Sequence, residues 1–311
     1  MSFLTVGYSI LTIFDLLSVA LYLTFLYILV KYRKNENLSS SFYQLCLSCG
    51  VADLLATLRG LIFDRVPAWG VLITIYGRFG SVIARGSIVG DLMLCSTQCF
   101  GLVLLTVNRY TSIVFPVHHR ELWSSATVLF CVALQWLLPV MFVTPLLVPS
   151  CWHMLSINGS LIAICTNHPL IVSILDQVYT FRVIGTLCHL PFYIHIYVVI
   201  RRIQDRVLRN TERTNTSTTL TNPTVQRKLV ITSLILVGNC FVRCLYSAVV
   251  NPYRLGLSAN AGTLMFGRFV VDDLFTLSTP WVMLAVSECV REHMKAVFCG
   301  LVPKRFSYSA L

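Results

Sequence analysis

The chain has 311 residues, of which 56% are hydrophobic and only 12% charged, whereas a soluble protein of this size carries about 25% charged residues. So little charge leaves too little polar surface to solvate a globule, which excludes an ordinary water-soluble domain and points to the bilayer as solvent. The formal charge of +11 would suggest nucleic acid in a soluble domain, but the placement of the charges argues against that.

Apolar runs able to cross roughly 30 Å of hydrocarbon, about 20 residues each, occur near Val6–Val30, Phe42–Phe63, Gly86–Val107, Ala126–Val148, Val178–Ile200, Leu229–Val250 and Leu264–Val286. The expectation is an all-α membrane protein, a seven-helix bundle forming one domain over residues 1–311. The first run is too long for a signal-peptide core. No Lys or Arg precedes it, and Lys31, Arg33 and Lys34 follow, so it reads as a retained span with the N-terminus outside. Of the 24 Lys and Arg, sixteen then fall in cytoplasmic segments and only Arg65, Arg78 and Arg254 in outer loops. The positive charge thus reports orientation and attraction to anionic lipid.

An ionisable group inside a span needs a partner or a function. Asp53 lies in the second run, in Leu47-Ser48-Cys49-Gly50-Val51-Ala52-Asp53-Leu54. In the third, Asp91 precedes Arg109 by eighteen residues, five helical turns, so both point to one side about 27 Å apart. Arg85, Arg182, Arg243 and Arg268 are also embedded and each needs a counter-charge. An internal Asp–Arg pair therefore outweighs a ligand ammonium as the partner of Asp91.

Between the fourth and fifth runs, Cys151 and Cys165 are the two cysteines on the outer side, where a bridge or two free thiols fit equally well. Asn158-Gly159-Ser160 is a glycosylation sequon in the same loop. Past the fifth run, Arg202, Arg206, Arg209 and Arg213 would form one basic stripe if the helix continues. Such a stripe suits a docked protein partner or anionic head groups. The Thr-, Ser- and Asn-rich composition that follows reads as a flexible loop over about 203–226. On the seventh run, Arg268 and Asp272 are spaced i,i+4 and could neutralise each other, leaving Asp273 to reach Arg243 or His189. Ser287 would cap an amphipathic surface helix over about 287–301, with Val290, Met294, Val297, Phe298 and Leu301 on its apolar face.

No phosphate-binding glycine loop, HExxH or nucleophile elbow is found, so no catalytic residue, metal or cofactor is expected. The paired cysteines 46/49, 95/99 and 240/244 lack an accompanying His cluster and read as small fillers of buried helices.

Asn108-Arg109-Tyr110, at the end of the third run, resembles the Asp-Arg-Tyr of rhodopsin-like G-protein-coupled receptors. The longer string NRYTSIVFPVHH, with Glu121-Leu122-Trp123 close behind, is similar to the nematode serpentine chemoreceptors of the gamma superfamily, class V in particular. That resemblance implies a chemosensory receptor that binds a small external molecule in an outer cavity and activates a heterotrimeric G protein. It assigns Asn108, Arg109 and Tyr110, with Arg202 and Arg206, to coupling. Asp53, Thr279 and Pro280 would form a core polar network, in which Asp53 either joins helices or binds sodium. Asp91, Arg243, Arg268, Asp272 and Asp273 would line the ligand cavity. The implied location is the plasma membrane of sensory cilia; the partners are the G protein, the ligand, the lipid bilayer and, as a candidate, a second receptor copy, with no nucleic acid. The chain departs from the rhodopsin-like pattern in several places. The outer end of the third run, Ile83-Ala84-Arg85, has no Cys; the sixth has no Pro; the seventh has Ser278-Thr279-Pro280-Trp281 without the usual Asn or Tyr. Asn108 also removes the acid that would neighbour Arg109. The alternative reading is a seven-span transporter or ligand-gated channel using Asp91, Asp272, Asp273 and the buried arginines as a path. A third is a membrane protein of structural role with no ligand.

Overall fold

A computed structural model describes residues 3–33, 40–69, 73–147, 152–157, 160–165, 169–214, 234–235, 237–246 and 261–299. Six of its helical stretches are long and apolar enough to cross a membrane: Val6–Lys31, Ser41–Arg65, Gly80–Val114, Ser125–Leu147, Asp176–Arg202 and Phe266–Val286. The sixth expected run is helical over 237–246, and much of it lies outside the described residues. In chain order the helices are α1 (Phe3–Lys31), α2 (Ser41–Gly60), α3 (Val66–Ala68), α4 (Ile73–Arg78), α5 (Gly80–Val114), α6 (Pro116–Leu122) and α7 (Ser125–Val143). They continue as α8 (Pro169–Thr214), α9 (237–246), α10 (Ala261–Val286) and α11 (Glu288–Cys299).

The surface identifies the solvent. Leu129 is 71% and Met141 69% exposed, alongside Ile10, Leu16, Leu17 and Phe130. Such apolar coverage around long helices would be an aggregation surface in water and is satisfied in hydrocarbon. Helices suit that solvent because their backbone groups bond within the segment.

The central element is α5, 35 residues long. At 1.5 Å per residue it reaches about 52 Å, and α2, α7 and α8 all pack on it. Gly101 permits the closest approach: a Cβ there would stand 2.5 Å from both Cys49 Sγ of α2 and Gln135 Nε2 of α7. At the end carrying Arg109, the main apolar core joins Tyr22, Phe25, Leu45, Leu105 and Leu277 to Val290 and Met294 of α11. The apolar stripe of α11 is thus partly covered by α1 and α10, while Phe298 stays exposed. Ser287 accepts from Val290 N at 3.3 Å, capping α11, and Arg291 Nη1 donates to the last carbonyls of α10.

Three features differ from expectation. The loop between α7 and α8 contains two strands, β1 (Trp152–Ile157) and β2 (Ser160–Cys165), paired antiparallel with Ile157 opposite Ser160 and packed on α5. The bundle is therefore helical with one added hairpin. Secondly, α8 runs to Thr214, so the loop expected from 203 starts no earlier than 215. Its Arg-rich sequence sustains helix where composition suggested a coil. Thirdly, α2 ends in a π turn, Leu61–Arg65. That turn holds more residues than an α turn and carries Arg65, assigned to an outer loop, back into the bundle at 4% exposure.

Candidate functional site

The polar residues of the spans are gathered inside the bundle in three connected tiers. At the hairpin end, arginines and aspartates alternate. Asp91 on α5 receives Arg268 Nη2 of α10 at 2.8 Å and Arg59 Nη2 of α2 at 2.9 Å. Arg59 also reaches Asp64 at 2.8 Å, and Ser87 Oγ donates to that carboxylate at 2.5 Å. Arg268 Nε stands 3.3 Å from Asp272, the i,i+4 partner expected from spacing, and Arg243 Nε of α9 donates to the same carboxylate at 2.7 Å. Every carboxylate in this tier is engaged by arginine. Charges that would be intolerable singly in lipid are neutralised by one another.

Asp273 does not reach Arg243 or His189 as expected. It contacts Arg65, which also contacts Asp15 of α1. The π turn is the cause, because it turns Arg65 toward α1 and α10 while Arg59 faces α5.

The middle tier hangs from the first through Arg243, whose Nη1 donates to Gln98 Oε1 at 3.0 Å. Gln98 Nε2 donates to Asp53 Oδ1 at 2.7 Å, and the Tyr22 hydroxyl donates to Asp53 Oδ2. The Arg243 guanidinium lies over the Phe275 ring, 4.7 Å from its centroid. Beside Asp53, a cavity of about 40 Å³ open to water-molecule centres is bordered by Gln98, Thr279, Tyr193, Phe275 and, at its far end, Arg109. Since one water needs roughly 10–15 Å³, it has room for a few waters. Thr279 thus shares the Asp53 tier, with Pro280 inside α10 beside it.

The last tier surrounds the Asn-Arg-Tyr triplet. Arg109 is 8% exposed and lies over the Phe42 ring at 4.3 Å. Asn108 Nδ2 donates to Ser41 Oγ at 2.7 Å, and Tyr110 shares a 3.0 Å hydrogen bond with His195 of α8. The three consecutive residues therefore grip α2 and α8 from one turn of α5. Just inside, Thr106 bonds His189 at 2.8 Å and Tyr193 at 3.1 Å. Beyond the span, Trp123 Nε1 donates to Thr111 at 2.8 Å, and His119, 3.1 Å from the same hydroxyl, has its pKa lowered by burial. On α11, burial pushes the Cys289 thiol up to about 11, so it stays protonated.

Arg202 is exposed on α8, and the unbroken backbone to Thr214 gives positions 202, 206, 209 and 213 the spacing of one helix face. The side chains of Arg182, Arg206 and Cys299, and residues Cys151, Asn158 and Leu301, lie outside what is described, as does the 151/165 bridge. Among the described residues no group of His, Cys, Asp or Glu is arranged to hold a metal ion. Sequence reasoning missed Asp15, Arg59, Asp64 and Gln98 as site residues. Asp15, Arg59 and Asp64 carried a usable signal, being charges within or at the edge of an apolar run; Gln98 carried none.

A family model described as "Serpentine type 7TM GPCR chemoreceptor Srv" matches residues 9–299. The chain is 26% identical over 291 residues to serpentine receptor class V-1 of Caenorhabditis elegans, covering 90% of this chain and 86% of the relative. It is 26% identical over 183 residues to D(2) dopamine receptor A of Xenopus laevis, covering 58% of this chain and 38% of that protein. With serpentine receptor class gamma-31 of C. elegans it shares 25% over 205 residues, 63% of this chain and 59% of the other. None of these relatives is named as a transporter or channel.

Proposed function

This chain belongs to the Srv family of serpentine seven-helix G-protein-coupled chemoreceptors, and we propose that it binds a small external molecule at the hairpin end and promotes nucleotide exchange on a heterotrimeric G protein at the Arg109 end. The observation that carries this is the chain of hydrogen bonds and one ion pair Asp91–Arg268–Asp272–Arg243–Gln98–Asp53, which runs from the hairpin end to a cavity that Arg109 also lines. A ligand that binds one arrangement of these pairs better than another shifts the population between arrangements. Arg243 is the joint most exposed to such a shift, because it alone among the described residues of α9 reaches both α5 and α10 by charged hydrogen bonds.

The orientation rests on the sixteen basic residues of the Arg109-side segments against the few on the other side. It puts the N-terminus and hairpin outside, and Arg109, α11 and the basic end of α8 in the cytosol. There, residues 202, 206, 209 and 213 form a docking face for the G protein. The location that goes with this reading is the plasma membrane of sensory cilia.

The test is a ligand screen on the receptor reconstituted with G protein, read as GDP–GTP exchange. An active ligand whose response disappears in Arg109→Ala, with normal surface expression, supports the reading. Ligand-driven flux or current with no G protein present would overturn it.

A further inference from the structure

We propose that Asp15, Arg65 and Asp273 form a proton-binding site, with one proton held by the two carboxyl groups where α1, the π turn and α10 meet.

The argument is one of charge and closure. Arg65 contacts both carboxylates, and all three side chains are at most 7% exposed. One guanidinium against two carboxylates leaves an excess negative charge. Among the described ion pairs, Arg59, Arg243 and Arg268 are matched to Asp64, Asp91 and Asp272. The described groups facing the triad do not supply the missing charge. From α1 comes Tyr8, whose hydroxyl lies within the field of Arg65. Neighbouring Asp272 on α10 adds negative field, and Arg243 of α9 opposes it but is already bonded to Asp272 and Gln98. The Phe269 ring, 5.4 Å from the Arg65 guanidinium, closes the site with apolar surface.

The second observation is that Asp15 Oδ1 and Asp273 Oδ2 are buried with no hydrogen-bond partner among the described residues. A bare carboxylate oxygen in such surroundings is more costly than a carboxylic acid. Protonation removes the excess charge and turns one bare acceptor into a donor. A hydrated metal cation does not fit the same place, since both oxygens are sealed from solvent. This site is separate from Asp53, whose two oxygens are both bonded, to Gln98 and Tyr22.

The experiment uses the full chain in lipid nanodiscs, with no ligand or G protein, so its outcome is independent of the receptor reading. Infrared difference spectra at neutral pH should show a protonated-carboxyl C=O band that is reduced in Asp273→Asn or Asp15→Asn and survives in Asp53→Asn. The folded state would then hold a proton that the unfolded chain releases, so melting temperature should fall as pH rises from about 5 to about 8. That slope should flatten in Asp273→Asn, which mimics the protonated form. An unchanged band and slope in both variants overturns the proposal. So does failure of both to fold, because Asn replaces the protonated acid closely. Stabilisation by sodium at alkaline pH, abolished by the same variants, would overturn it in favour of a metal cation.

Discussion

Arg243 and Gln98 meet across the bundle: the arginine Nη1 donates to the amide oxygen at 3.0 Å, while the amide nitrogen donates to Asp53 at 2.7 Å. A single side chain of α9 thus orients the group that holds the core carboxylate on α2. If α9 moves away from α5, Gln98 loses its orienting partner, and Asp53 loses a defined donor in consequence.

Replacing Arg243 with Gln should loosen that joint. Truncating one member of a buried ion pair typically costs about 3–5 kcal/mol, and here Asp272 keeps Arg268 as a second partner, which places the effect near the lower end. The expected outcome is a lower melting temperature together with raised ligand-free nucleotide exchange. The two are measured on the same nanodisc sample. Lost stability with unchanged basal exchange would make Arg243 a structural brace and not a joint in the switch.

Asp91 separates two readings of the hairpin end. It is engaged by Arg59 and Arg268 at 2.9 and 2.8 Å, so Asp91→Asn should destabilise by about 3 kcal/mol, near the lower end for a broken buried pair because Arg59 keeps Asp64 and Arg268 keeps Asp272. Pairing it with Arg268→Gln should be less than additive by about 0.5–3 kcal/mol, because the two remove one interaction. Thermal melts of the four proteins give the coupling. A single variant with full stability but abolished ligand response would instead identify the carboxylate as a ligand anchor.

What sequence made visible here is what depends on local period. The apolar runs declare themselves by hydropathy, and Arg268 with Asp272 by helical spacing, because neither needs knowledge of a neighbouring helix. That Asp91 needed an arginine was also legible; which arginine was not, since the choice among α2, α9 and α10 is a matter of packing. Arg65 stands just past its apolar run and reads as loop until a π turn, which has no reliable sequence sign, turns it inward. Gln98 is uncharged and invisible to any argument from burial cost, yet it links two helices. The hairpin had a sequence sign that the reading as a glycosylation sequon passed over: Asn158-Gly159 between two apolar stretches is a strong two-residue turn signal.

Gly101 marks the tightest packing of α5. A methyl group there meets Cys49 Sγ and Gln135 Nε2 at 2.5 Å. Gln135 is fully buried and held by Ser48 at 2.8 Å and the Thr97 carbonyl at 3.3 Å, so it has little freedom to retreat. Gly101→Ala should therefore destabilise by about 1–3 kcal/mol despite the better helix propensity of Ala. A melting temperature at or above that of the parent would show that the three helices can spread at no cost. Gln135→Ala in the same background should recover part of the loss by opening space.

Arg109 presents the sharpest test of how this chain manages without an acid beside it. Asn108 is committed to Ser41 at 2.7 Å, and the Arg109 guanidinium rests on the face of Phe42 at 4.3 Å. A desolvated cation over an aromatic face gains about 2 kcal/mol, so in the proposed coupling role this contact would restrain the arginine as a neighbouring carboxylate would by charge. Phe42→Leu keeps the apolar volume and removes the ring's attraction, so the arginine should be freed more often for the G protein. Ligand-free nucleotide exchange should rise several-fold, to a ceiling of about 30-fold for the full 2 kcal/mol. Phe42→Tyr, which keeps the ring face, should behave as the parent. Arg109→Ala should abolish exchange in either background, which places the effect of Phe42 upstream of the arginine. Equal basal exchange in Phe42→Leu and Phe42→Tyr would mean that some other contact of Arg109 restrains it.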